Sequence, residues 1–255
     1  MSHGRVSVII PVYNGSAFLA EAVESVRGQA DALLEVVIVD DGSTDGTAEL
    51  AKGLPQAGLR YVYQDNAGPS SARNHGLTLA RGDVIGFLDA DDLWPVDRLR
   101  RQMRALDDNA SVDVVLGRTQ CVRQTGASGE DRLEKCFPPV VLLSPTAALF
   151  RRRAFERVGT FDETMRYGED TDWFMRAREC GVPILVEDDV ALLYRRHEHN
   201  MTLGRNMKEL RVLDVLKRSL DRRRRHGGVA ASLPGLLHRT DGAGGIGSSD
   251  SREDE

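Results

Sequence analysis

The sequence predicts an α/β fold with a mostly parallel sheet flanked by helices. Over residues 6–106, short apolar runs alternate with amphipathic stretches, which is the pattern of consecutive βαβ units. The 255 residues are 41% hydrophobic and 29% charged, a composition typical of a globular protein that buries a substantial core. Nothing in the middle of the chain resembles a flexible linker, so we expect one compact domain over residues 1–203.

The elements of the first half follow from periodicity. A buried strand is predicted at 6–12, and Phe18, Leu19, Ala22, Val23 and Val26 then recur at helical spacing. Later strands are predicted at 34–39, 59–63, 84–88 and 112–116. Helices are predicted after Asp45, at 70–80, and from Pro95 in a first turn through Leu106.

The pattern weakens over 118–139, which favours a hairpin or a mobile loop. Helices near 151–158 and 170–180 and a strand near 190–195 complete the predicted domain. Residues 204–227 form a predicted basic amphipathic helix that ends in four arginines at 222–225. It either docks on the domain or contacts an anionic membrane surface. The Gly- and Ser-rich tail at 228–255 is expected to be disordered.

Composition excludes several classes of protein. The formal net charge of −5 argues against a nucleic-acid partner bound through bulk charge. Three cysteines without a CxxC motif indicate reduced thiols in a cytoplasmic protein. The first strand begins too early for a secretion signal to precede it, and no apolar run approaches the length of a membrane span, so we expect neither secretion nor a transmembrane segment.

Carboxylates follow two of the predicted strands, where ligands bind in open α/β sheets. Asp40 and Asp41 end the second strand, and Asp89-Ala90-Asp91 ends the fourth. Strand alternation would point Asp89 and Asp91 to the same side. Two like charges about 4 Å apart repel by roughly 4 kcal/mol at an effective dielectric of about 20. A Mg²⁺ or Mn²⁺ ion shared with a diphosphate ligand would remove that penalty, although both acidic runs are alternatively simple turns or helix caps.

Five motifs in order, PVYNG, VDDGSTD, GPSSARNHGL, GFLDADD and GEDTDW, resemble those of the family 2 glycosyltransferases. The resemblance covers residues 5–200. It implies a GT-A fold and an inverting transferase that takes its sugar from a nucleotide-diphosphate donor. By this similarity Pro11, Tyr13 and Asp41 line the nucleotide pocket, and Arg73 contacts the nucleotide and diphosphate.

The same resemblance assigns the metal site. Asp91 would bind Mn²⁺ or Mg²⁺, and Asp89 would lie toward the ribose or share the ion. Ala90 lies between them in the nucleotide pocket. His197, in YRRHEHN, resembles the family's late histidine and is a further candidate ligand of the metal or the diphosphate.

Asp170 occupies the position of the family's catalytic base, and Glu169 is the alternative. On a helix Trp173 would share the face of Asp170, and would either stack on an acceptor sugar or pack in the core.

A UDP-sugar is the expected donor, with guanine left open. The acceptor would be a saccharide, a lipid-linked or a small-molecule hydroxyl, reached in the cytoplasm or at the inner membrane face. A nucleotidyltransferase is disfavoured because PVYNGSAF is not a basic phosphate loop. A non-catalytic nucleotide-sugar binding protein should lack Asp170 or the paired aspartates.

Overall fold

The computed structural model describes residues 6–29, 32–125, 132–198, 200–201, 212–227, 235–239 and 246–248. The parallel half of the sheet is built from β1 (Val6–Val12), β2 (Leu33–Asp41), β3 (Leu59–Gln64) and β4 (Val84–Phe87). These strands lie in the order β4-β1-β2-β3, and their carboxyl ends meet at one edge of the sheet. Between them run α1 (Leu19–Arg27), α2 (Thr47–Gly53) and α3 (Pro69–Leu79).

The packing of α3 on the central strand requires a glycine. All seven residues of β1 are buried. A Cβ added at Gly76 in α3 would lie 2.3 Å from Cγ2 of Ile9, so the helix can approach the strand this closely only without a side chain. This close approach fixes where the amino end of α3, and Arg73 within it, lies relative to the ends of β1 and β4.

The second half extends the sheet with mixed pairing. After α4 (Arg98–Asp108) come β5 (Val114–Thr125), β6 (Arg132–Lys135) and a short 3₁₀ helix at Pro145–Ala147. The elements β7 (Ala148–Arg151), α5 (Arg152–Val158), α6 (Glu169–Glu179) and β8 (Ile184–Arg195) follow. The strand β7 runs antiparallel to both β4 and β5, and β8 runs parallel to β5.

Several sequence predictions are thereby tested. Of the two alternatives predicted for 118–139, a hairpin or a mobile loop, the structure shows antiparallel pairing of β5 with β6, as in a hairpin. The fifth strand is longer than predicted, β7 was not predicted, and α4 begins at Arg98 rather than at Pro95. Among the described residues, no helix combines the length and apolar character needed to cross a bilayer.

The C-terminal helix α7 (Val212–Gly227) packs against α6. Val215 and Ser219 are buried, and Arg222 donates to Asp172 at 2.8 Å and to Glu179 at 2.7 Å. Residues 204–211 of the predicted helix lie outside the described residues.

The predicted disorder of the tail is wrong for two short segments. The structure forms β9 (Leu237–Arg239) and β10 (Ile246–Ser248), and β9 pairs parallel with β8 through Leu185 and Val186. Leu236 and Leu237 pack against the main core. The Gly-rich composition of the tail as a whole does not indicate these apolar contacts. The rest of 228–255, apart from Gly235 and Leu236, lies outside the described residues.

Candidate active site

The loops after β1 and β2 are tied together at the carboxyl edge of the sheet. The backbone N–H of Asn14 donates to Ser43 Oγ at 2.8 Å, and that of Ser16 donates to Asp45 Oδ2 at 3.1 Å. Burial alone would raise the pKa of Asp45, but hydrogen bonds from Thr47 and Ser16 lower it to about 2. Asp45 is therefore charged at neutral pH and holds the two loops in a fixed arrangement.

Pro11 and Tyr13 differ in exposure. Pro11 is a buried residue of β1, opposite Val39 of β2. Tyr13 follows the last strand residue and is 55% exposed, so its ring is available to a ligand at this edge. Of these two predicted nucleotide-pocket residues, Tyr13 therefore has its side chain open to solvent and Pro11 does not.

Asp41 organises the loop between β3 and α3. It is 4% exposed, and its Oδ1 accepts from Gln64 Nε2 at 2.8 Å and from the Ala67 N–H at 2.9 Å. Its Oδ2 accepts from the Gly68 N–H at 2.8 Å. A carboxylate oxygen accepts about two hydrogen bonds, so Oδ2 retains capacity for one further donor.

The paired aspartates lie in a turn and not on a strand. β4 ends at Phe87, and the Asp92 N–H donates to the Asp89 carbonyl at 3.0 Å. The prediction that strand alternation points Asp89 and Asp91 to one side is therefore wrong. Ala90 between them is buried, and a Cβ added at Gly15 would lie 3.5 Å from its Cβ, so the turn packs beneath the loop after β1.

Each carboxylate of the turn has its own partner. Asp89 Oδ1 accepts from Arg73 Nη2 at 2.9 Å, whereas Asp91 Oδ2 lies 3.0 Å from His197 Nε2. Asp92 is buried and accepts from the backbone N–H of Arg195 at 2.9 Å, which anchors the turn to the end of β8.

Arg73 connects the turn to α6. While Nη2 contacts Asp89, Nη1 lies 3.0 Å from Oε1 of Glu169, and both the Arg73 and Glu169 side chains are under a tenth exposed. Burial by itself would lower the pKa of the guanidinium, but the charges of Asp89 and Glu169 raise it above its usual value. The Arg73 cation therefore links three separate elements of the site.

Asp91, His197 and Asn200 form a compact cluster. Asn200 Nδ2 lies 3.2 Å from Asp91 Oδ2 and 3.1 Å from His197 Nε2, and the His197 ring stacks on Phe18 with centroids 4.7 Å apart. Burial and the charge of Asp89 raise the pKa of Asp91, against the opposing contact with His197. The sequence analysis did not identify Asn200 as a site residue, although it lies three residues after His197 in the same motif.

Glu169 and Asp170 open α6 directly after Gly168, whose φ of 77° is the left-handed region that favours glycine. Glu169 is 6% exposed and paired with Arg73. Asp170 accepts through Oδ1 from the Thr171 N–H at 2.6 Å, which leaves Oδ2 without a hydrogen bond from the described residues. Burial raises the pKa of the Asp170 carboxyl, while hydrogen bonds from Thr171 and the charge of Arg73 oppose the rise.

Trp173 is a core residue, so the predicted alternative of stacking on an acceptor sugar is wrong. Its side chain is 0% exposed, and its ring packs within 6.2 Å, centroid to centroid, of four phenylalanines, at positions 150, 155, 161 and 174. Its Nε1 donates to the Gly159 carbonyl at 2.9 Å. Trp173 anchors the helix that carries Asp170 instead of contacting ligand.

A family model described as Glycosyl transferase family 2 matches residues 7–159, which is more than half of the chain. The chain belongs to this family.

Proteins with similar sequences support this family assignment. The chain is 32% identical over 218 residues to the succinoglycan biosynthesis protein ExoO of Rhizobium meliloti, covering 77% of this chain and 62% of that protein. It is 30% identical over 212 residues to an uncharacterized glycosyltransferase of Rickettsia typhi, covering 77% of this chain and 65% of the relative. The chain thus spans less than two thirds of the length of these relatives.

Two solved structures share the fold. S. aureus TarS 1-349 in complex with UDP-GlcNAc superposes with a TM-score of 0.66 at 24% identity, over 85% of this chain and 66% of that one. The mannosyltransferase PcManGT from Pyrobaculum calidifontis, in complex with GDP-Man and Mn²⁺, gives 0.65 at 23% identity, over 92% of this chain and 67% of that one. The predicted GT-A fold is confirmed.

Proposed function

We propose that this chain transfers a sugar from a nucleoside-diphosphate donor to an acceptor hydroxyl, with inversion at the anomeric carbon. One observation carries the proposal: Arg73 joins Asp89, next to Asp91 and His197, to the helix start that presents Asp170. A diphosphate site and a carboxylate base are thereby linked through a single buried cation. Family membership supports the reaction class.

Asp170 is the proposed catalytic base. The acceptor oxygen attacks the anomeric carbon, the bond from that carbon to the diphosphate oxygen breaks, and the acceptor proton passes to the Asp170 carboxylate. Asp170 is favoured over Glu169 because Glu169 is already neutralised by Arg73 at 3.0 Å. A carboxyl whose pKa is raised by burial is also a better proton acceptor near neutral pH.

The donor set suits a hard divalent cation, Mn²⁺ or Mg²⁺. Adjacent ligands of an octahedral ion with bonds of about 2.1 Å lie about 3.0 Å apart. Asp91 Oδ2 and His197 Nε2 are separated by 3.0 Å. No group of three or more His, Cys, Asp or Glu in the described part of the chain is arranged to hold a metal alone, so phosphate oxygens of the donor would complete the site. A bound cation would stabilise negative charge on the departing diphosphate.

We favour a UDP-sugar as donor. Asp41 Oδ2 keeps capacity for a ring N–H, and the open Tyr13 ring lies at the same edge of the sheet. The TarS structures contain UDP-GlcNAc or UDP, whereas PcManGT contains GDP-Man, so GDP is the competing donor nucleotide.

A thermal-shift panel of UDP, dTDP, GDP and CDP, each with Mn²⁺ and again with EDTA, tests the donor site. A ligand at 100 times its dissociation constant adds about 2.7 kcal/mol to the free energy of unfolding. At roughly 2 to 4 °C per kcal/mol, the expected shift for UDP is about 5 to 11 °C. It should disappear with EDTA and in Asp91→Ala. A UDP shift unaffected by both would contradict the cation site.

Transfer itself is tested by Asp170→Asn. This variant should keep the UDP-dependent shift and lose sugar transfer, whereas Asp107→Asn, an exposed carboxylate at the end of α4, should keep both. Substantial transfer by Asp170→Asn would remove Asp170 from the mechanism.

We also propose that α7 contacts a membrane surface that carries the acceptor. At 100° per residue, Leu213, Leu216 and Leu220 lie within about 60° of one another on the helix, and Lys217 and Arg224 both lie beside them on the Leu213 side. The three leucines are 70%, 43% and 37% exposed. This surface suits an anionic bilayer and a lipid-linked acceptor. Flotation with anionic vesicles should recover the wild type but not a variant with glutamine at the three leucine positions; equal recovery would contradict the contact. A cytoplasmic location stays a prediction.

A further inference from the structure

Asn200 is a buried amide at the end of the segment that follows β8. It is 7% exposed, and it closes a turn with His197 in both directions. Its backbone N–H donates to the His197 carbonyl at 3.2 Å, while the His197 N–H donates to Asn200 Oδ1 at 2.7 Å. These two contacts fix the backbone position of the histidine.

The same contacts fix which way the amide points. A backbone N–H only donates, so Oδ1 must face His197 N and the Nδ2 group must face the opposite side. There it meets the Arg195 carbonyl at 3.1 Å, Asp91 Oδ2 at 3.2 Å and His197 Nε2 at 3.1 Å. The amide therefore has two hydrogens for three neighbouring acceptor atoms.

Two acceptors, Arg195 O and Asp91 Oδ2, are available to the two amide hydrogens with or without a bound cation. If His197 Nε2 directs its lone pair to a cation, only Arg195 O and Asp91 Oδ2 remain for the two amide hydrogens, and every polar atom of Asn200 is satisfied. Without a cation, Nε2–H would donate to Asp91 Oδ2, 3.0 Å away, and would not accept from the amide, so the same two acceptors remain. Asn200 is therefore satisfied in both states, and its amide holds Asp91 Oδ2 in place whether or not a cation is bound.

We propose that Asn200 is a positioning residue for the cation site, orienting Asp91 through its amide and His197 through its backbone. The inference rests on the proposed function, since it assumes that Asp91 and His197 bind the divalent ion. Partners that hold metal ligands in place typically change metal affinity by about 10- to 100-fold when they are removed.

The test measures Mn²⁺ binding to the full chain by electron paramagnetic resonance, at saturating UDP, for wild type and Asn200→Ala. The dissociation constant of Mn²⁺ should rise about 10- to 100-fold in the variant. Asn200→Ser is the second variant, because its smaller hydroxyl can still accept from the His197 N–H while losing the contact with Asp91. It should fold and still bind Mn²⁺ more weakly than wild type.

Asn74→Ala is the matched control. Asn74 is likewise buried, donating through Nδ2 to the Phe161 carbonyl at 2.9 Å and accepting from the Phe161 N–H at 3.0 Å. Its loss should lower Tm as the loss of Asn200 does, without weakening Mn²⁺ binding.

Asp91→Ala separates the two proposals. If Asp91→Ala abolishes Mn²⁺ binding and both Asn200 variants bind it as wild type does, Asn200 is only structural and this inference is overturned. If Asp91→Ala itself leaves Mn²⁺ binding unchanged, the proposed cation site is at fault, and with it the premise of the inference.

Discussion

Replacing Arg73 by methionine should destabilise the fold, because the buried Glu169 carboxylate would lose its cationic partner. Methionine keeps the aliphatic bulk and removes the guanidinium. The Glu169 side chain is 8% exposed, and breaking a buried ion pair by removing one partner costs about 3–5 kcal/mol. The Asp89 side chain is 38% exposed, so its contact with Arg73 contributes at most about 1 kcal/mol. At roughly 2–4 °C per kcal/mol, we expect Tm to fall by about 6–20 °C.

Urea unfolding at two pH values tests this reasoning. Burial raises the pKa of Glu169 in the folded state. A group with a raised folded pKa stabilises the protein below its unfolded pKa, and this contribution is lost as the pH rises through the folded pKa. The deficit of Arg73→Met relative to wild type should therefore be largest at pH 7 and shrink toward pH 5, as Glu169 takes up a proton.

A double-mutant cycle supplies the control. Arg73→Met in a Glu169→Gln background should cost much less than in wild type, since no buried charge is left unpaired. Arg100→Met removes a surface pair with Asp97, whose side chains are 65% and 44% exposed, and should change the free energy of unfolding by no more than about 1 kcal/mol. A loss for Arg73→Met as small as that, or one equal in both backgrounds, would refute the buried-pair argument.

Three other measurements depend on which groups are buried or paired in the structure. Trp173→Ala should lower the free energy of unfolding by about 3–5 kcal/mol in denaturant melts; near-native stability with a raised acceptor KM would restore its role in acceptor binding. The acid limb of kcat/KM should lie above the value of about 3.9 for an ordinary aspartate, because burial raises the pKa of the Asp170 base; a limb at or below that value would contradict the assignment. Deleting residues 228–255 should lower Tm, because Leu236 and Leu237 pack on the core and β9 pairs with β8; an unchanged Tm would show that the tail adds nothing.

Local sequence patterns predicted the parallel half of the fold well. Strands β1 and β4 are nearly continuous apolar runs, and α1 carries apolar residues at helical spacing, so these elements are encoded in their own residues. The strand β7 was not predicted because it has only four residues and continues directly into α5, with no turn residue between them. Its identity as a strand depends on antiparallel partners in β5, 32–36 positions earlier, and in β4, 63–67 positions earlier, and periodicity cannot reveal such partners.

The candidate site shows the same division between local and long-range information. The motif predicted that Asp89 and Asp91 are site residues, and the alternation of side chains along a strand predicted that they point to the same side as a pair of metal ligands. The chain instead turns after Phe87, and tertiary partners then separate the two carboxylates. Asp89 binds Arg73, 16 residues earlier, and Asp91 meets His197, 106 residues later. Because Arg73 also holds Glu169 at the start of α6, Asp89 is coupled to the helix that carries Asp170, whereas Asp91 is coupled to the end of β8. Neutralising one aspartate should therefore perturb a different part of the site from neutralising the other.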